Sequence, residues 1–255
     1  RQMCIRDRNW TASAYNTRVV FRNGIYGVVS SMKNIEEAHN DPNSLFIDIG
    51  AKSKEDALKY VHVGSVCGYC GEYLPLANDL VCSKTFDDRV GCFQLIEALR
   101  ENDGTYPNDI YYVFTVQEEV GCRGSKTTAA FIKPDIGIAV DVTPAHDYPC
   151  DLTGSNAIGE GIGIKVADPS VLCDEDVIAA MEQCCRHKDI PFQYEVIDKG
   201  GCDASSMNLS NFGVRAGGIS VVTRYAHCSS SVISKEDAES GIRLCTAFSK
   251  YEFQF

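Results

Sequence analysis

The feature that most restricts the fold is a set of apolar runs too continuous for half-exposed strands, set among helical patterns. Ile110–Val116 and Ile136–Val142 are nearly unbroken, and Gly161–Val166 follows in kind. Such runs suit strands buried on both faces, as in a parallel sheet covered by helices. Asp88–Glu101 places Cys92, Leu95, Ile96 and Leu99 at i, i+3, i+4 and i+7, the spacing of one helix face. Lys126–Ile132 suits a helix ending before Pro134. Asp174–Lys188 suits another, with Val177, Ile178, Met181, Cys184 and Cys185 on one face. Gln193–Ile197 and Gly218–Thr223 read as strands and Asp203–Asn211 as a short helix. Ser234–Phe248 reads as a helix opened by Ser234 with Asp237. Strands alternating with helices predict an α/β fold, a largely parallel mixed sheet flanked by helices.

The residues before this region follow a different rule. Arg18–Ser31 reads as two strands about Asn23-Gly24, a strong hairpin signal, and Leu45–Ile49 as a third. Ser53 to Asp56 resembles a capping box opening a helix to about Tyr60, and Val61–Leu80 is short, glycine-punctuated and β-like. The expected organisation is a small β-rich module over residues 9–82 and an α/β domain over 83–255. Residues 1–8 carry no apolar period and no targeting logic. Their Met-Cys-Ile-Arg-Asp-Arg core resembles the translation of a common sequencing-library adaptor, so they read as a non-native tail.

Charge narrows the function classes. Lys and Arg number 24 against 35 Asp and Glu, a net charge of −11. That balance speaks against nucleic acid and anionic membrane surfaces, both of which select clustered cations. No apolar run approaches the ~20 residues that span a bilayer. The 13 cysteines are odd in number, and several fall on apolar helical positions, where cysteine serves as a small hydrophobe. The expected setting is a reducing cytoplasm. Cys67-Gly-Tyr-Cys70 has redox or zinc-ribbon spacing, but no second Cys-x-x-Cys closes a four-cysteine site, which favours structural thiols.

In α/β sheets, ligands sit beyond the carboxyl ends of the strands. Ile110–Val116 runs into Gln117-Glu118-Glu119, and Ile136–Val140 into Asp141. Ile219–Thr223 runs into Arg224-Tyr225-Ala226-His227, and Phe86-Asp87-Asp88-Arg89 precedes a helix. Each alone has a plainer reading: a solvated acidic pair, a helix cap, a turn cap, a loop histidine. Together they would bring five carboxylates and one histidine to one rim. Carboxylates that close repel and are forced to protonate unless a divalent cation neutralises them. Mixed Asp, Glu and His ligands suit zinc, cobalt or manganese rather than calcium.

The residues that carry these acids resemble the M42 family of metallo-aminopeptidases, which includes glutamyl and deblocking enzymes that assemble into tetrahedral dodecamers. The resembling stretches are Leu45–Glu55, Phe86–Gly91, Val113–Gly121, Pro134–Thr143, Gly200–Ala204 and Thr223–His227, in family order. The resemblance implies two divalent metals (Zn, Co or Mn), with Asp87 as bridge and a cis peptide to Asp88. Glu119 and His227 would complete one metal and Asp141 would serve the other. Glu118 would be the general base, and Asp203 and Arg224 the substrate-pocket candidates. The implied partners are peptide substrates and further copies of the chain, as dimers built through the β-rich module. Family members also carry an upstream His-x-Asp motif, and none of His39, His62, His146 or His187 has a matching context. The second metal would then keep only Asp87 and Asp141. Cys202 stands where the family has Thr, and Cys228-Ser-Ser-Ser where it has a Ser-Pro-x-Glu-like run. Two rivals follow: a chain that assembles without turnover, and, ranked last, an endoglucanase, which would need metal-free paired carboxylates.

Overall fold

The computed structural model describes residues 11–34, 41–150 and 153–253. The adaptor-like opening segment and His39 lie outside the described residues. The chain divides into two compact units, one built mainly from residues up to Leu74, the other mainly from Phe86–Ala226 and Val232–Phe255.

In the first unit, α1 (Thr11–Ala14) leads to β1 (Arg18–Phe21) and β2 (Tyr26–Ser31). A 3-10 turn at Pro42–Ser44 then precedes β3 (Leu45–Asp48), α2 (Lys54–Ala57) and β4 (Cys67–Tyr69). The hairpin forms where Asn23-Gly24 predicts it: Val20 faces Tyr26, and Gly24 takes φ +86°, a conformation that costs glycine little. Every pairing in the order β3-β2-β1-β4 is antiparallel. Alternation sends Val19, Val29 and Leu45 inward against Ala14 and leaves Tyr26, Val28 and Phe46 exposed on the opposite face. Ser53 Oγ accepts the Asp56 N–H at 3.1 Å, as the capping box requires, but α2 ends at Ala57 rather than near Tyr60.

Next come β5 (Leu74–Pro75), β6 (Leu80–Ser83), α3 (Phe86–Arg100), α4 (Arg123–Ile132), β7 (Ile136–Pro144) and β8 (Ile162–Asp168). They are followed by β9 (Val171–Leu172), α5 (Glu175–His187), β10 (Phe192–Val196) and α6 (Asp203–Asn208). The last elements are β11 (Arg215–Arg224), β12 (Ser231–Ser234) and α7 (Lys235–Ser249). The larger sheet runs β10-β8-β11-β12-β6-β5, with β7 on β11 and β9 on β8. The α/β expectation holds, but the sheet is mixed rather than largely parallel. β7 joins β11 and β10 joins β8 in parallel, while β11 meets β8 and β12, and β8 meets β9, antiparallel. The link from β11 to β12 is too short for a parallel crossover, which needs roughly a dozen residues.

Two other expectations are corrected. No strand forms at Ile110–Val116, and Tyr111, Phe114 and Val116 are 65%, 48% and 68% exposed. Apolar continuity signals a wish for burial, but a strand exists only on a ladder, and no described strand pairs with this stretch. On α3 the buried residues are Val90, Gly91, Gln94 and Ala98, while Phe93, Ile96 and Leu99 are exposed. At Gly91 that face lies tight on its neighbours. A Cβ on Gly91 would sit 2.8 Å from the Val140 carbonyl oxygen.

The core joins Ile162 and Ile164 of β8, Val177 and Met181 of α5, Ile219 and Val221 of β11, and Leu244 of α7. Each such side chain contributes about 1.5–3 kcal/mol by leaving water. Ser234 Oγ caps α7 by accepting the Asp237 N–H, as read. Cys173, Cys184, Cys185, Cys202 and Cys245 are buried free thiols, in keeping with a hydrophobe's role. Among the described residues, no helix is long and apolar enough to cross a membrane.

Candidate metal centre

Three local devices present the acids. At the start of α3, Asp87 and Asp88 are non-helical and joined by a cis peptide bond, and Asp88 Oδ1 accepts the Gly91 N–H at 3.0 Å. Between residues 116 and 124 the backbone closes a tight loop. Gly121 and Cys122 N–H both donate to the Glu118 carbonyl at 2.8 Å, and Gly124 N–H to that of Val116 at 3.0 Å. Gly124 is required there, since a Cβ would lie 2.5 Å from the Val116 oxygen. Asp141 does not end its strand, as the sequence suggests, but sits inside β7 opposite Ser220. It is nearly buried, and its Oδ1 accepts the Val142 N–H at 2.7 Å.

The turns around these acids hold backbone that L-residues seldom adopt. Thr85 takes φ +58°, Gln117 +60°, Cys122 +49°, Tyr225 +58° and His227 +59°. Such conformations cost of order 1–3 kcal/mol each and cluster at functional sites.

The structure brings together Asp87, Glu119 and His227, whose ligand atoms lie within 4.8 Å of one another. Donor atoms that close can share one ion, whose bonds to oxygen or nitrogen are ~2.0–2.2 Å long. A second group of the same closeness joins Glu118, Cys122 and Asp203. Asp141 belongs to neither trio, yet it is electrostatically coupled to Asp87, Asp88 and Glu118. Arg224 spends its guanidinium on Asp147, with Nε to Oδ1 at 2.9 Å and Nη2 to Oδ2 at 2.7 Å.

Charge is the strongest signal. Burial, then the neighbouring Asp87, Glu118 and Asp203, pushes Asp88 up to about 8. Burial, then Glu119, Asp203 and Asp87, pushes Glu118 up to about 7, partly offset by the Cys122 thiol, which donates to Oε1 at 3.4 Å. Asp141 is raised well above the carboxylate range by burial and by Asp88, Asp87 and Glu118. A group of buried acids that oppose each other's ionisation is what a divalent cation would relieve, and the oxygen and imidazole donors suit zinc, cobalt or manganese.

Sequence reading missed the polar shell around Asp203. Thr115 Oγ1 donates to Oδ2 at 2.7 Å, and Ser125 Oγ to Oδ1 at 2.6 Å. Isolated hydroxyl residues carry no periodic signal, so nothing in the chain marked them.

The family description of M42 glutamyl aminopeptidases matches residues 8–244. A putative aminopeptidase of Acetivibrio thermocellus is 42% identical over 228 residues, covering 89% of this chain and 68% of that protein. Among solved structures, aminopeptidase APDkam598 of Desulfurococcus kamchatkensis is 34% identical with a TM-score of 0.86, covering 94% of this chain and 70% of its own. The TET1 peptidase of Pyrococcus horikoshii, described as assembling into a tetrahedron or a large octahedral shell, is 28% identical with a TM-score of 0.79. That match covers 94% of this chain and 73% of the TET1 chain.

Proposed function

The chain belongs to the M42 glutamyl aminopeptidase family, and from that premise we propose that it removes N-terminal residues from peptides at a two-metal centre. The observation that carries this reading is the meeting of the Asp87, Glu119 and His227 ligand atoms within 4.8 Å of one another, beside Asp88, Glu118 and Asp141, whose carboxyls burial and neighbouring acids hold above the usual range. Asp87, Glu119 and His227 would hold one ion, and Asp87 with Asp141 the other. When bound, the ions supply Lewis acidity toward the scissile carbonyl and lower the pKa of the attacking water.

The remaining work falls to the chain. A Glu118 carboxylate oxygen takes the water's proton and passes it to the leaving amine. A carboxylate beside the attacking water can act first as base and then as acid. The Cys122 thiol orients that carboxylate through its hydrogen bond. The 116–124 loop keeps Glu118 and Glu119 in fixed relation.

We further propose that residues 9–82 serve assembly, as dimers within a tetrahedral dodecamer, and that the protein works in the cytoplasm. The exposed Tyr26, Val28 and Phe46 and the resemblance to TET1 support the first. A second reading, a chain with one firm metal and weak turnover, rests on the exclusion of Asp141 from both three-ligand groups.

The deciding experiment compares Glu118→Gln with Glu119→Gln. Loss of Glu118 should abolish hydrolysis of aminoacyl-4-nitroanilides while metal content stays near that of the parent. Loss of Glu119 should lower metal content itself. Equal metal loss in both variants would overturn the assignment of roles.

A further inference from the structure

Arg224, the substrate-pocket candidate of the sequence, has its guanidinium committed elsewhere. Nε donates to Asp147 Oδ1 at 2.9 Å and Nη2 to Oδ2 at 2.7 Å. The two side chains are 27% and 19% exposed, so water screens the pair only in part. A two-pronged bond of this kind fixes direction as well as distance. Asp147 Oδ2 also accepts the Ile158 N–H at 3.1 Å, and hydrogen bonding to Arg224 holds its carboxyl below the usual range. One residue further on both sides, the Tyr148 and Tyr225 rings meet edge to face with centroids 5.0 Å apart. Two successive residues past β7 are thus fastened to two successive residues at the end of β11.

Those strands lead to ligand candidates. β7 holds Asp141 and β11 runs on to His227, and the two pair in parallel with Pro144 opposite Thr223. Between Arg224 and His227 the chain turns, with Tyr225 at φ +58° and His227 at +59°. Left-handed backbone at such residues costs free energy and persists only where surrounding contacts over-determine it. The run Arg224-Tyr225-Ala226-His227 has no glycine to favour the turn, so the restraint comes from outside it. Resting on the metal reading above, we infer that Asp147 and Arg224 are a positioning pair, whose bond locks this turn and aims the His227 imidazole before an ion arrives. A ligand already fixed loses less freedom on binding, so the pair strengthens metal affinity while acting only through His227.

The test is a double-variant cycle on the whole chain, read as cobalt affinity at the tighter site. The parent, Asp147→Asn, Arg224→Lys and the double variant would be titrated by calorimetry, and the visible spectrum of bound cobalt recorded. His227→Ala serves as control. Each single substitution keeps the residue's approximate size but breaks the fork. Each should weaken cobalt at least ~10-fold and alter its spectrum. The double variant should lose no more than the weaker single, since both act through one bond. Urea midpoints of the metal-free proteins separate positioning from plain stability. A lower midpoint with affinity within about threefold of the parent, or losses that multiply in the double variant, would overturn the inference. Should His227→Ala bind cobalt as tightly as the parent, the metal reading fails and the inference with it. Weakened binding in every variant, with no hydrolysis of anilides by the parent, would sink the proposed activity while upholding the positioning role.

Discussion

Asp237 shows how much a single buried acid can govern. It is fully buried at the start of α7, and its two oxygens accept the Gly159 and Gly161 N–H groups at 2.7 and 2.9 Å. Burial outweighs those bonds and pushes its carboxyl up to about 6, helped by Glu236 and Glu160. An acid whose folded pKa is raised favours the native state below its unfolded pKa, and that contribution is lost as pH rises through the folded one. Wild type should therefore lose stability relative to Asp237→Asn between about pH 4 and 6.5, by about 1–3 kcal/mol. The Asn variant carries a pH-independent offset of about 1–2 kcal/mol, because its amide presents a donor to one glycine N–H. Urea denaturation of both proteins across that range reads the difference, and parallel curves would refute the assignment.

At the scale of elements, close approach and buried charge decide what the helices and strands can tolerate. Gly91 lets α3 rest on β7, and a methyl group there would meet the Asp88 carboxylate as well as the Val140 carbonyl. Gly91→Ala should cost about 1–3 kcal/mol, visible as a lower Tm, despite alanine's better helix propensity. In β8, Lys165 pairs with Glu195 of β10 and lies 3.4 Å from Asp168, all three side chains being almost fully buried. Lys165→Met strands two buried acids and should destabilise by about 3–5 kcal/mol. Adding Glu195→Leu should recover much of that, because the desolvation cost disappears with the charge. Chemical denaturation of the single and double variants checks both signs.

For the whole molecule the expected behaviour is one tight metal and self-association. Only the Asp87–Glu119–His227 trio joins a histidine to two acids among the described residues, so metal analysis after dialysis should give about one ion per chain, with a second held weakly. If the outer face of the first sheet drives assembly, Val28→Glu with Phe46→Glu should shift sedimentation from oligomer toward monomer without loss of fold. An unchanged oligomer would remove that face from the interface. By itself, the sequence determined what depends on neighbours in the chain: the Asn23-Gly24 hairpin, the Ser53 and Ser234 caps, and the helix over Glu175–His187. These rest on local hydrogen bonds and on side-chain periodicity, which are properties of short segments. It also marked Asp87, Glu119 and His227, since acids and a histidine after apolar runs are visible without coordinates. Only the tertiary structure decided that Ile110–Val116 is no strand, that Asp141 lies within β7, that Arg224 belongs to Asp147, and that hydroxyls hold Asp203. Each of these turns on which distant residue supplies a partner, and a partner far along the chain leaves no trace in local spacing.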